Sequence, residues 1–388
     1  MSLERFDRIA QINAARWDRA VQRRAFAGHA WLAYGERVHQ ADRPVYHLAA
    51  GRDGRETGCV CWIRRREQLP VSSGWIRRFL DRFLTRNPLV TCQTAVAGLS
   101  GLFIGDAHGD LRSGLSGIVP ALKEVLAEAR GSFLIVPYLD PGTAAHPAWG
   151  DGFLSVAMPP NTYLPVMAPD FEAFIAGLRR NVRKDYRRHR NQALRLQLRT
   201  RISLRPPDRE VVIRLVRAVE RKHRSAPLPF LEALVAERPV PGGKWIVVER
   251  LADRKDEASG ETVGCGLILR ERGRLCLTAL GLADNAPNVY FELMYRAIRN
   301  AVETRAEGIF GGGGAYRFKE KLGYRPTEDN RVLFYARNPR LRRLGAWLAG
   351  QEAVAGRDPV AFADGRLDDG LSAGGDGARL RLQVRFPL

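Results

Sequence analysis

The chain has 388 residues, of which 45% are hydrophobic and 27% are charged, so it is long enough for two or three domains with cores of their own. It contains no run of eighteen apolar residues, which excludes a typical membrane-spanning helix. The charged amino terminus lacks the apolar stretch of a signal peptide. We therefore expect a cytoplasmic protein.

The formal net charge is +20, from 62 Lys and Arg against 42 Asp and Glu. This excess predicts a polyanionic partner, which could be nucleic acid, a phosphate-rich cofactor or an anionic membrane surface. Only 7 of the basic residues are lysines, and a strong preference for arginine is also typical of a GC-rich genome. Charge alone leaves both explanations open.

The first 160 residues alternate helical and strand-like patterns. Helical spacing covers the first thirty residues, and two strands over 45–50 and 59–63 are joined by a glycine-containing hairpin turn at 51–54. A helix over 118–130 and a buried strand over 133–138 follow. Residues 140–152 are rich in Pro, Gly and Ala and indicate a connection to a second unit.

The second unit begins near Leu164, and we expect Asp170 to cap one long helix that runs to residue 190. A helix over 211–224 precedes three strands over 245–249, 263–269 and 275–280. Asn285 or Asn288 caps the next helix, from 289 to about 305. The pattern then predicts a strand at 309–310, a short helix over 316–322 and a final strand over 332–336.

The five cysteines are few and odd in number, and their spacing is not typical of a zinc site. Cys59 and Cys61 share one face of a predicted strand, and no Cys or His stands near them in the sequence. We therefore predict buried free thiols and no metal ion.

The most informative stretch runs from 311 to 326 and has the sequence GGGGAYRFKEKLGYRP. A short helix follows the glycine run and stops at Gly323, and Lys319 stands four residues before that stop. The glycines either let a ligand approach bare backbone or form a flexible turn. Tyr316 either contacts a substrate or packs beneath the helix. Because the chain uses so few lysines, Lys319 is the first candidate for a functional role.

The element order and this motif resemble the GNAT acyltransferase fold, in which a Tyr commonly stands four residues before such a Gly. The variant with Lys resembles the FemAB-like branch, including the family labelled peptidoglycan biosynthesis or recognition. The resemblance covers roughly 165–340. It implies an α/β protein with two tandem GNAT-like domains, a degenerate one over 1–160 and one with the transferase motif over 161–345. A flexible extension over 346–388 follows, and the alternating pattern at its end is typical of a terminal strand.

The resemblance also implies an acyl transfer to an amine. In coenzyme A enzymes of this fold the Tyr protonates the leaving thiolate, whereas this chain has Lys319. A glycine-rich pyrophosphate loop is expected at 281–288, where only one glycine occurs. These departures and the positive charge favour aminoacyl-tRNA as the donor over acyl-CoA. The acceptor is then an amine of a peptidoglycan precursor or of a small biosynthetic intermediate.

We predict Lys319 and Tyr316 as catalytic residues. The predicted donor-binding groups are Leu280, Gly281, Asn285, Gly312, Gly313, Gly314 and the basic residues Arg180, Arg183, Lys184 and Arg187. The basic helix has a simpler explanation as a solvated face. Two alternatives stay open: an acyl-CoA-dependent N-acyltransferase, and a catalytically inactive module that binds nucleic acid or another polyanion.

Overall fold

The computed structural model describes residues 3–22, 24–50, 56–65, 82–104, 111–223, 227–228, 230–236, 243–252, 260–284, 286–340 and 342. The predicted hairpin turn at 51–54, Asn285 and the extension over 346–388 lie outside these residues. None of the helices in the described part of the chain is both long enough and apolar enough to cross a lipid bilayer.

The described residues form a mixed α/β protein with two sheets. The strands are β1 (Glu4–Phe6), β2 (Arg43–Ala50), β3 (Glu56–Arg64), β4 (Leu89–Thr91), β5 (Leu102–Phe103), β6 (Phe133–Leu139), β7 (Phe153–Ala157), β8 (Thr162–Pro165), β9 (Leu198–Ser203), β10 (Lys244–Leu251), β11 (Gly260–Glu271), β12 (Arg274–Leu282), β13 (Gly308–Phe310), β14 (Arg325–Pro326) and β15 (Arg331–Ala336).

Helices cover the faces of both sheets. They are α1 (Ala14–Val21), α2 (His29–Val38), α3 (Leu111–Glu128), α4 (Pro141–Ala144), α5 (Phe171–Gly177), α6 (Arg180–Arg195), α7 (Arg209–Lys222), α8 (Leu231–Ala236), α9 (Val289–Glu303) and α10 (Tyr316–Lys321). Short 3-10 turns cover Ile9–Gln11 and Pro147–Trp149, and residues 82–86 are also helical.

Among the described residues the strand order of the first sheet is β1-β2-β3-β4-β6-β15-β7, with β5 also paired to β3. The order of the second sheet is β14-β8-β13-β12-β11-β10-β9. Most neighbours are antiparallel, whereas β4 with β6 and β12 with β13 are parallel. The equivalent placement of one parallel pair in each sheet fits the predicted duplication of an α/β unit.

One strand crosses the predicted division of the chain. We expected the strand near 332–336 to complete the second unit, but β15 lies in the first sheet between β6 and β7. Leu333 belongs to the same apolar cluster as Trp149 and the buried residues of α3. The division at residue 160 stays a prediction, with the qualification that the last strand of the second unit pairs with the first sheet.

The predicted long helix after Asp170 is wrong, because the chain forms two helices instead. Asp170 caps α5 by accepting a hydrogen bond from the Ala173 amide (2.7 Å), but Leu178 is extended and ends the helix. Gly177 is a poor helix former at that point. The guanidinium of Arg183 donates to the carbonyl of Leu178 (2.7 Å), which stabilises the break.

The two sheets share a core. Phe26 and Trp31 from the first half pack in one apolar cluster with Leu267 and Leu269 of β11. The carboxylate of Glu271 accepts hydrogen bonds from the amides of residues 27 and 28, at 3.0 and 2.9 Å, and burial raises the pKa of Glu271 to about 7. The first half therefore lies directly against the second sheet.

Candidate functional site

Two parallel strands in the second sheet separate and leave a gap between them. β12 pairs with β13 only from Arg274 to Cys276, opposite Gly308–Phe310. Beyond Phe310 the chain leaves the sheet, while β12 continues to Leu282. The backbone of the second part of β12 therefore has no neighbour from β13.

A β-bulge lies in β12 beside this gap. Cys265 pairs with Gly281 and Leu267 pairs with Thr278, so two residues of β12 stand opposite one residue of β11. Ala279 has a left-handed backbone with φ of 48°, which is unfavourable for a residue with a Cβ. Leu280, one of the predicted donor-binding residues, lies in this distorted segment.

Gly281, which is also predicted to bind the donor, packs tightly against α7. A Cβ at this position would lie 2.7 Å from the Leu215 Cβ, 2.8 Å from the Cys265 Sγ and 2.9 Å from the Val216 nitrogen. We expect Gly281→Ala to lower the free energy of unfolding by about 1–3 kcal/mol because α7 must move off the sheet. Gly177→Ala is the control, since nothing lies within 4 Å of that position. Equal melting temperatures for the two variants would contradict this assignment.

Lys319 lies beneath the glycine run. Its side chain is 4% exposed, and its Nζ donates to the carbonyl oxygens of Gly311, Gly312 (3.1 Å) and Gly313 (3.3 Å). Burial lowers the pKa of Lys319 to about 7. One buried amino group therefore holds three successive carbonyls on the same side of the loop.

The orientation of these carbonyls determines where the next amides point. In a trans peptide the C=O and the following N–H point in opposite directions. The N–H groups of Gly312, Gly313 and Gly314 therefore point away from Lys319, and none of them donates to another described residue. Gly312 and Gly314 have φ of 63° and 81°, conformations that favour glycine. Successive amides of this kind form a site that can accept an anionic oxygen.

The connection between the two halves supports the glycine run from one side. The Thr162 hydroxyl donates to the Gly312 carbonyl (2.8 Å), and the Gly311 amide donates to the Thr162 carbonyl (2.8 Å). The Tyr316 hydroxyl donates to the Pro160 carbonyl (2.8 Å). In this structure Tyr316 thus holds the connecting segment.

A small cavity lies where the strands separate. Its lining comes from both halves: Ala97, Leu99, Asn161, Cys276, Leu277, Thr278, Phe310 and Gly312. The Thr278 hydroxyl is buried and has no hydrogen-bond partner among the described residues. A buried polar group without a partner is costly unless a ligand or water satisfies it. Sequence reasoning missed Thr278, although a threonine inside an apolar strand was a usable signal.

The first turn of α9 is covered by side chains. Asn288 occupies the N-cap position but does not cap the helix, because its carboxamide donates to the His189 carbonyl (2.9 Å). The His189 ring stacks on Phe291 with 3.7 Å between centroids, and Phe318 of α10 packs edge-on against Phe291 at 4.9 Å. A pyrophosphate group docked at this helix end would have to displace these aromatic contacts.

The four predicted basic residues of α6 have different surroundings. Arg183 is bound to carbonyls at the end of α5. Arg180, Lys184 and Arg187 are exposed and follow the i, i+4, i+7 spacing of one helix face, opposite the buried face with Val182. Within the described part of the chain these three residues form no ion pair. We call them the basic stripe.

The comparisons with known proteins concern the fold. No protein-family model matches the sequence, and no curated protein matches it either. The structure of FemX superposes with a TM-score of 0.59 at 12% identity and covers 88% of this chain and 99% of that chain. A tandem GNAT protein from the clavulanic acid biosynthesis pathway, solved without AcCoA, gives a TM-score of 0.51 at 12% identity, with 87% of this chain and 99% of that chain covered.

These likenesses confirm the predicted fold class. The chain has the tandem GNAT fold, with a FemAB-like arrangement over most of its length. The roles of the individual residues described above stay predictions, because identity this low shows only the fold.

Proposed function

We propose that this protein is an acyltransferase that forms an amide on an amine acceptor, with aminoacyl-tRNA as its donor. The observation that carries the proposal is the buried Lys319, which turns the N–H groups of Gly312, Gly313 and Gly314 away from itself at the mouth of the strand gap. Amide formation needs this kind of fixed donor set for the oxyanion that develops on the attacked carbonyl.

The proposed reaction is direct transfer. The uncharged amine of the acceptor attacks the ester carbonyl of the donor, and the carbonyl electrons move to its oxygen. The amides of the glycine run stabilise that oxyanion. When the tetrahedral intermediate collapses, the ribose hydroxyl leaves and takes up a proton, and the amine loses one. No covalent intermediate with the enzyme is needed. Lys319 acts as a positioning residue because its Nζ contacts the loop carbonyls.

Two features favour tRNA over coenzyme A. The side chains of Asn288, His189 and Phe291 pack around the first turn of α9, so a pyrophosphate could bind there only by displacing them. The basic stripe is free to contact phosphates, and the chain carries a net charge of +20. Phosphate contacts of this kind position a nucleic acid without specifying its sequence.

Ligand-dependent melting tests the donor. We expect aminoacyl-tRNA to raise the melting temperature more than uncharged tRNA does, and acetyl-CoA and a long-chain acyl-CoA to leave it unchanged. A rise with either acyl-CoA alone would overturn the tRNA assignment and favour the N-acyltransferase alternative. A response to both tRNA forms alike, without any acyl transfer, would support the inactive binding module.

Removing the basic stripe should weaken tRNA binding. The triple variant Arg180→Ala, Lys184→Ala, Arg187→Ala is expected to reduce the slope of log K against log salt by about 2 to 3, because that many phosphate contacts are lost. The matched control removes the same charges from α7, with Arg214, Arg221 and Lys222 changed to alanine. If both triple variants bound tRNA with the wild-type salt dependence, the basic stripe would have no part in donor binding.

A further inference from the structure

Three cysteines and one histidine meet in the core of the first sheet. The Sγ atoms of Cys59, Cys61 and Cys92 all lie within 4.8 Å of one another. The Nδ1 of His47 lies 3.8 Å from the Cys59 Sγ. All four side chains are buried. No Cys or His is close to the cysteine pair in the sequence, but the fold brings Cys92 and His47 next to it.

The sheet register explains this convergence. Cys59 and Cys61 are two residues apart in β3, so their side chains lie on the same face of the sheet. His47 of β2 stands directly opposite Cys59. Trp62 pairs with Thr91 in the antiparallel β3–β4 ladder, so Cys92 follows opposite Cys61. Linear spacing does not show cross-strand neighbours, because 30 residues separate the second cysteine from the third.

The distances suit a tetrahedral metal ion. An equilateral triangle with sides of 4.8 Å would place its centre about 2.8 Å from each sulfur, and the Zn–S bond of about 2.3 Å needs only a small contraction from there. In such a tetrahedron neighbouring sulfurs lie about 3.8 Å apart, and an imidazole nitrogen lies about 3.6 Å from a sulfur. The His47 Nδ1 lies 3.8 Å from the Cys59 Sγ but outside the 4.8 Å group of three sulfurs, so its ring must move toward Cys61 and Cys92 when the metal binds. Three sulfurs and one imidazole nitrogen form a known structural zinc ligand set.

We propose that Cys59, Cys61, Cys92 and His47 form a closed structural site for Zn²⁺. The site links β2, β3 and the end of β4. The residues that follow Cys92 form one wall of the cavity between the halves, with Ala97 and Leu99 in its lining. The bound ion would fix the start of that wall.

Cobalt substitution tests the site in the full-length protein. The chain is produced in cobalt-supplemented medium, purified under reducing conditions without a histidine tag, and compared with Cys61→Ala and Cys265→Ala. Cys265 is an equally buried cysteine in the second sheet, so it is the matched control. We expect about one Co²⁺ per chain, with thiolate-to-cobalt charge-transfer bands and the intense visible bands of a tetrahedral site. Cys265→Ala should keep the bands, and Cys61→Ala should lose them.

The wild-type protein decides the question if the Cys61 variant does not fold. Elemental analysis after growth with added zinc should then give about one Zn²⁺ per chain. Less than about one-tenth of an ion per chain in both media would overturn the proposal. A disulfide between Cys61 and Cys92 in the intact mass would also overturn it, as would retention of the cobalt bands in Cys61→Ala.

Discussion

Lys319→Met is expected to lower the turnover number for acyl transfer by at least about 100-fold, while donor binding stays near the wild-type level. The physical reason is the loss of the three bonds to the carbonyls of residues 311–313. Without them the glycine run can turn its amides away from the developing oxyanion, and loss of even one such donor costs about 100- to 1,000-fold. Methionine keeps a similar volume, so the core beneath the loop stays filled.

Lys321→Met is the matched control for this prediction. Lys321 lies on the same short helix and is about half exposed, and its one ion pair with a described residue is a surface pair with Asp185 at 3.4 Å. It is expected to keep nearly full activity, because exposed pairs contribute little. If Lys319→Met retained the wild-type turnover number, the account of the glycine run would fail. Equal losses in both variants would show that the helix itself, rather than the buried amine, is needed.

The free energy of unfolding of the wild type, relative to Lys319→Met, is expected to rise with pH above neutrality. The pKa of Lys319 is lowered from 10.5 to about 7 in the folded protein. Below pH 7 both states bind the proton, and the difference between the proteins is constant. Between the two pKa values the unfolded state binds one more proton than the folded state, so stability increases by about 1.4 kcal/mol per pH unit.

Denaturant unfolding of both proteins at several pH values measures this effect. The wild type should gain roughly 2–3 kcal/mol over Lys319→Met between about pH 7 and pH 9. The comparison with Lys319→Met cancels the contributions of all other titrating groups, because the two proteins share them. A difference that stayed constant over this range would contradict the lowered pKa.

Local features of the second half could be predicted from the sequence. The glycine run, the helix after it and the stop at Gly323 are adjacent in the chain, so their spacing was enough to predict their structure. Gly323 has φ of 92°, and its amide donates to the Glu320 carbonyl (2.9 Å), as expected for a helix that ends on glycine. Lys319 stood out because the chain uses few lysines.

Long-range features could not be predicted in the same way. The periodicity of β15 shows that it is a strand but does not show which sheet it enters. Likewise, Arg183 appeared to belong with its basic neighbours, and only the break after Gly177 brings it to the carbonyls of α5. The convergence of His47 and Cys92 on the cysteine pair depends on strand register, which single-sequence patterns leave undetermined.

The most direct test of the central claim is the transfer of an amino acid from tRNA to an amine. The purified full-length chain is incubated with tRNA carrying radiolabelled amino acids and with a panel of primary amines that includes amino sugars and peptides. Mild base then hydrolyses the remaining esters but not amides.

We predict base-stable label with at least one amine, at a rate that Lys319→Met lowers by at least about 100-fold. A parallel incubation replaces the tRNA with acyl-CoA. If all label from tRNA stayed base-labile while acyl-CoA gave a base-stable amide, the proposed donor would be wrong. No amide from either donor would contradict the assignment as a transferase.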